Sequence, residues 1–180
     1  MERNKLFLMG VLFSLLSLVS SAKAQMIFTC EIDGDEFIGT VNDAVLVDLG
    51  EEEYLQIHAM FDKKVLYLYL KTALFKNPVP LTLVYRQHNH ETGETPDAES
   101  IWAPDGADGP QWNTIEGEAV ITAVDESTKT ISGNFEFVVE KASYSSRPDK
   151  KNPTIDIREG KFVNIQYRLE EKKSDGNSNL

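Results

Sequence analysis

From Gln25 onward, apolar residues recur at every second position in short runs, and each run ends in residues that favour turns. A period of two puts successive side chains on opposite faces, which marks a half-buried strand rather than a helix. Phe28, Cys30 and Ile32 form one face of the first run, with Thr29 and Glu31 on the other. Asp33-Gly34 follows and accepts positive φ at little cost, so a tight hairpin into Phe37 to Val41 is predicted. Within Tyr54 to Phe61, Leu55, Ile57, Ala59 and Phe61 share a face opposed by Tyr54, Gln56, His58 and Met60. Val65 to Leu70 is apolar or aromatic throughout, which predicts a mid-sheet strand covered on both sides. Pro78 and Pro80 cannot donate to a ladder and mark an extended connection into a strand over Leu81 to Gln87. Residues 88 to 116 break the pattern and read as a long loop, or a pair of loops, around the apolar patch Ile101-Trp102. Gly117 to Val124 and Ile131 to Glu140 make a hairpin across Asp125 to Lys129. Ile155 and Ile157 then lead to Glu159-Gly160, and Val163, Ile165, Tyr167 and Leu169 form the last strand. The pattern predicts one all-β domain over residues 25–169, an antiparallel β-sandwich or flattened barrel of about nine or ten short strands. A polar tail over 170–180 follows it.

The first 24 residues have a different logic. Arg3 and Lys5 precede an apolar run of fourteen residues, Leu6 to Val19, and the run ends in Ala22-Lys23-Ala24. Positive charge, a short apolar core and small residues before the cut are the parts of a signal peptide, so export with cleavage before Gln25 is expected. The run is shorter than the roughly 20 apolar residues a membrane-spanning helix needs, and no later segment is a candidate span. The mature chain is therefore expected in the periplasm, on the outer surface or secreted. Cleavage removes three positive charges (Arg3, Lys5, Lys23) and one negative (Glu2), moving the formal charge from −11 to −13. So acidic a surface repels phosphate backbones and argues against a nucleic-acid partner. Cys30 is the only cysteine and cannot pair within the chain. Its neighbours Ile27-Phe28-Thr29 also lack the small residue expected before a lipidated cysteine.

Three short motifs occur in order: Phe28-Thr29-Cys30-Glu31-Ile32-Asp33-Gly34, Ile131-Ser132-Gly133-Asn134-Phe135-Glu136-Phe137 and Gly160-Lys161-Phe162-Val163-Asn164-Ile165. In these the chain resembles a family of small secreted or lipid-anchored Bacteroidota β-proteins of unknown function. The resemblance implies export and a β-rich fold and brings no catalytic residues. The chain departs from the pattern in having no cysteine at the cleavage site and a proline-bounded segment over Asn77 to Leu81.

Candidate chemistry gathers in the irregular region. His88-Asn89-His90-Glu91 would project both imidazoles to one side of an extended chain, the start of a zinc site that needs further ligands from Glu91, Glu94 or His58. A solvated loop accounts for the same residues. The acids of Asp105 to Asp108 do not match a calcium loop, because Ala107 falls at a ligand position. Cys30 lies in an apolar strand rather than an electropositive pocket, and no serine sits in a strand-to-helix elbow, so nucleophilic catalysis lacks support. Trp102 and Trp112 flank an acidic, Gly-rich turn. Their indoles could stack on sugar rings while Asp105 and Asp108, with Gln111 and Asn113, bond hydroxyls; or they could fold back to cap the open end of the core. The expectation is a non-catalytic binding or structural module at the cell envelope, with a glycan or an envelope protein as partner and no cofactor. The alternative is a metal-dependent factor or enzyme built on the His88/His90 loop.

Overall fold

Inward-facing residues along the longest strands step by two, and at a few places by three, and those places curl the sheet. The structure is a computed structural model that describes residues 25–50, 52–89, 91–142 and 152–169; the expected signal segment, the expected tail, and His90 lie outside them. The described residues form β1 (Ile27–Ile32), β2 (Asp35–Ile38), β3 (Thr40–Leu49), β4 (Glu52–Phe61), β5 (Lys64–Lys71), β6 (Leu81–Val84), β7 (Ala98–Ala103), β8 (Trp112–Asp125), β9 (Thr130–Lys141), β10 (Thr154–Gln166) and β11 (Arg168–Leu169). They make one sheet in the order β11-β3-β4-β5-β7-β8-β9-β10-β1-β2, with β6 paired to β8 off that path. Only β11 with β3 is parallel. The sheet is strongly curled into a half-barrel, so of the two predicted architectures the barrel-like one is realised. No helix among the described residues is long and apolar enough to cross a membrane.

The curl has an identifiable cause. On β10 the inward residues are Ile155, Ile157, Gly160, Phe162 and Ile165, followed by Tyr167 just before β11. Each step of three coincides with a register shift against β9, between Ile157 and Gly160 and between Phe162 and Ile165. Glu159 and Asn164, with φ of 51°, are the residues that absorb the shifts. A bulge adds one residue to one strand and raises the local right-handed twist. β8 carries two more, between Thr114 and Glu116 and between Ile121 and Ala123. The expected turn at Glu159-Gly160 is thus a bulge inside one long strand.

Three glycines let the curled strands close over aromatic rings. Gly117 faces Phe137, Gly133 faces Phe162 and Gly160 faces Phe135 across adjacent strands. At each, an added Cβ would fall 2.5 Å from the facing ring. The rings lie over backbone that only glycine leaves bare, a pairing that substitutes aromatic surface for a missing side chain. Phe28, Phe135 and Phe162 continue inward, with ring centroids 5.4 Å (Phe28–Phe135) and 6.3 Å (Phe135–Phe162) apart. Phe28 meets Phe37 edge-on, and Phe37 meets Trp102 edge-on at 5.7 Å. Each fully buried ring or aliphatic side chain of this kind stabilises the fold by roughly 1.5–3 kcal/mol relative to exposure.

The tight turn at Asp33-Gly34 forms as predicted, with φ of 55° and 85°, and Cys30 is buried. Further details differ. Phe61, at the end of β4, is 53% exposed rather than inward. The strand predicted over Leu81 to Gln87 stops at Val84. The region read as loops holds β7 and the start of β8. There the strands splay, and Thr114 supplies a side-chain rung, its hydroxyl accepting from Ser100 N and donating to Ser100 O at 2.7 Å each. β6 follows, running beside the next stretch of β8, with Asp97 N donating to Val84 O at 3.2 Å.

Candidate functional site

β5 was expected to be covered on both sides. Leu66, Leu68 and Leu70 are indeed buried, but Tyr67 and Tyr69 are only half-buried, on the outer face. Register turns that face into ordered rows. Asp43, His58, Tyr67 and Ile101 stand side by side across β3, β4, β5 and β7, and Asn113 of β8 extends the row. The next row is Val45, Gln56, Tyr69 and Glu99. Period-two alternation makes this placement obligatory: once Ile57 and Leu68 face the core, Gln56, His58, Tyr67 and Tyr69 must face out.

The rings form a strip. His58 stacks on Tyr67 with centroids 4.8 Å apart and planes 24° from parallel, and Tyr67 lies 6.4 Å from Tyr69 at 31°. Gln56 Nε2 donates to the Tyr69 hydroxyl at 2.7 Å and fixes that ring. A third row holds one border of the strip: the Tyr54 hydroxyl donates to Pro96 O at 2.7 Å, while Lys71 Nζ bonds Thr95 Oγ1 at 3.2 Å and pairs with Glu52 at 2.8 Å.

Burial sets the charge states here. It pushes the His58 imidazole below its ordinary value, opposed by Asp43, so the ring is held towards its neutral form. His58 Nε2 is covered and has no hydrogen-bond partner among the described residues. Burial also raises the Glu99 carboxyl. The Tyr69 hydroxyl is raised mainly by burial, with the Gln56 bond working against it and Glu99 adding to it. The face therefore offers flat apolar rings flanked by an amide and by a carboxyl whose burial disfavours its charged form, groups suited to stacking and hydrogen bonding.

The residues singled out in the sequence fall elsewhere. Trp102 lies on β7, only 4% exposed, and pairs in register with the half-buried Trp112 of β8. Trp102 belongs to the core and Trp112 packs against it, both from strand positions rather than from a loop. Asp105 and Asp108 are exposed in the connecting turn, which is closed by Gly106 N to Ala103 O at 3.3 Å and Gly109 N to Gly106 O at 2.9 Å. The four are thus sequence neighbours split between core and solvent, while Asn113 joins the outer-face row beside Ile101. His88 is exposed, beside the bridge between Asn89 and Glu94; His90 lies outside the described residues. Among the described residues no group of three or more His, Cys, Asp or Glu could hold a metal. Cys30 is buried and its thiol is pushed up to about 12 by desolvation, the opposite of what a nucleophile needs.

The outer-face strip was missed as a site although its signal was present. Tyr54, Gln56, His58 and Met60 were recognised as one face, and Tyr67 and Tyr69 alternate with leucines. What sequence could not supply was the register that sets His58 against Tyr67 and Tyr69 against Glu99. No family model matches this chain, and no curated protein or solved structure matches it.

Proposed function

We propose that this chain is an exported, non-catalytic binding module of the cell envelope, and that its outer face over β3, β4, β5 and β7 binds saccharide. The observation that carries the reading is the half-exposed ring strip of His58, Tyr67 and Tyr69, with Gln56 and Glu99 in the same cross-strand rows. Sugar rings present apolar C–H faces and a periphery of hydroxyls. Aromatic faces cover the first, and amide or carboxyl groups on a rigid sheet meet the second. Rigidity favours this use, because rings already held by packing and by the Gln56 bond lose little freedom on binding. Export rests on the N-terminal pattern, and the acidic surface is consistent with a neutral ligand rather than a polyanionic one.

The test is titration of soluble neutral polysaccharides by calorimetry, with Tyr67→Ala and Tyr69→Ala beside the wild type. A bound glycan should lose about tenfold in affinity in each variant, the worth of one stacking ring. Unchanged affinity in both variants, or binding of none of the polysaccharides, would remove the strip from consideration.

A further inference from the structure

We infer that the open end of the half-barrel beside β2 receives an arginine side chain from an extended segment of another protein, which adds as a strand to the β2 edge. The site is separate from the outer-face strip. A pocket of about 200 Å³ opens there. Its walls are Ile32, Phe37, Phe61 and Trp102, and its rim carries Asp33, Asp35 and Glu36 against the single cation Lys64. The space is that of one large side chain, smaller than the roughly 300–1,000 Å³ of pockets for whole small-molecule ligands.

Two features say what kind of side chain. The walls are aromatic: Phe37 meets Trp102 edge-on, and Phe61 meets Phe37 at 6.4 Å and 78° while remaining 53% exposed. A half-uncovered phenylalanine at a strand end is apolar surface left for a partner. The rim is carboxylate, so it complements a cation. Arginine satisfies both demands best, since its planar guanidinium stacks on aromatic rings and pairs bidentately with carboxylates, whereas the compact, strongly hydrated ammonium of lysine can do neither in that planar, two-pronged way.

A third feature says how the side chain is presented. β2 ends the sheet path and pairs with β1 and no other strand among the described residues. Along it Asp35, Glu36 and Ile38 are exposed while Phe37 points into the pocket wall. An added strand takes its affinity from main-chain hydrogen bonds and its specificity from pockets at alternate residues, and here edge and pocket are adjacent.

The test uses the full protein and the synthetic peptide Val-Arg-Val-Arg-Val with blocked ends, followed by calorimetry and amide chemical shifts. Binding is expected, with the largest shifts on β2. It should weaken about tenfold in the double variant Asp35→Lys with Glu36→Lys, and also in Phe61→Ala, all at exposed positions. N-methylation of alternate peptide nitrogens, which leaves the protein untouched, should weaken it about as much, because main-chain donors are lost. Tyr67→Ala should leave it unchanged, which separates this site from the saccharide face. Equal binding of ethylguanidinium and the peptide would overturn strand addition. Full affinity in the Asp35/Glu36 and Phe61 variants, or no binding of the peptide, would overturn the site.

Discussion

Substituting Gly133 by alanine tests the physical basis of the curl. The new Cβ would lie 2.5 Å from Phe162 Cζ, 3.1 Å from Phe162 Cε1 and 2.5 Å from Val120 O. Neither neighbour can give way cheaply. Phe162 is fully buried and lies against Phe135 with planes 30° apart, and Val120 belongs to the β8 ladder opposite Asn134. Overpacking of a filled core costs about 1–3 kcal/mol, and a contact with backbone places this case near the upper end. For a domain stable by about 5–15 kcal/mol, in which each kcal/mol moves Tm by about 2–4 °C at this size, the expected fall is about 6–12 °C. Circular dichroism on heating and in urea measures it. Gly34→Ala is the control, because nothing lies within 4 Å of its added Cβ and only the φ of 85° is strained, which costs about 1–2 kcal/mol. If the ring causes the clash, the penalty at Gly133 should shrink by about 1 kcal/mol in a Phe162→Leu background. A Gly133→Ala protein within about 0.5 kcal/mol of wild type, or no coupling to Phe162, would refute the account of the Gly–Phe pairs.

Cys30 should react slowly with a thiol reagent in the native state and rapidly after unfolding; because its thiol is raised from 9.0 to about 12, its contribution is intact below pH 9 and is lost as pH climbs towards 12, on the order of 4 kcal/mol in all. Equal rates in both states would mean that the β1 register is wrong by one residue. Glu99 titrates the other candidate surface: its carboxyl is raised by burial, so its favourable contribution is full below pH 4.5 and is lost as pH rises through the folded value. Glu99→Gln should therefore be more stable than wild type at pH 7, with the gap closing towards pH 4; urea denaturation across that range measures it, and a gap independent of pH would show that the carboxyl is not desolvated.

Strands whose inward residues are large and regularly spaced were legible in sequence: Phe28 to Ile32, Leu55 to Ala59, and the β9 run from Ile131 to Val139. β7 was not, because its inward residues Ala98, Ser100 and Trp102 include two small ones and give no apolar rhythm. β10 was divided in two because its bulges shift the phase of the alternation twice. The outer-face strip was harder still, since its residues come from four strands and their adjacency is set by register, not by separation along the chain.

Register also ties the fold to the candidate site more closely than alternation alone would. Between Val41 and Asp43 the pairing of β3 with β4 shifts by one, so that Val41 faces Ala59 while Asp43, not Asn42, faces His58. The irregularity keeps Val41 and Ala44 both against the core although they are three apart. A strict period of two would have turned Ala44 and Leu46 outward and brought Asn42 beside His58. In that arrangement the imidazole would have lost the carboxylate that opposes its desolvation. Bulges bend the sheet, and on the outside they decide which polar residues become neighbours. The bulges of β8 and β10 curl the half-barrel, and the one in β3 sets Asp43 beside His58, so a chain with the same apolar pattern but no bulge in β3 would present a different row to a ligand.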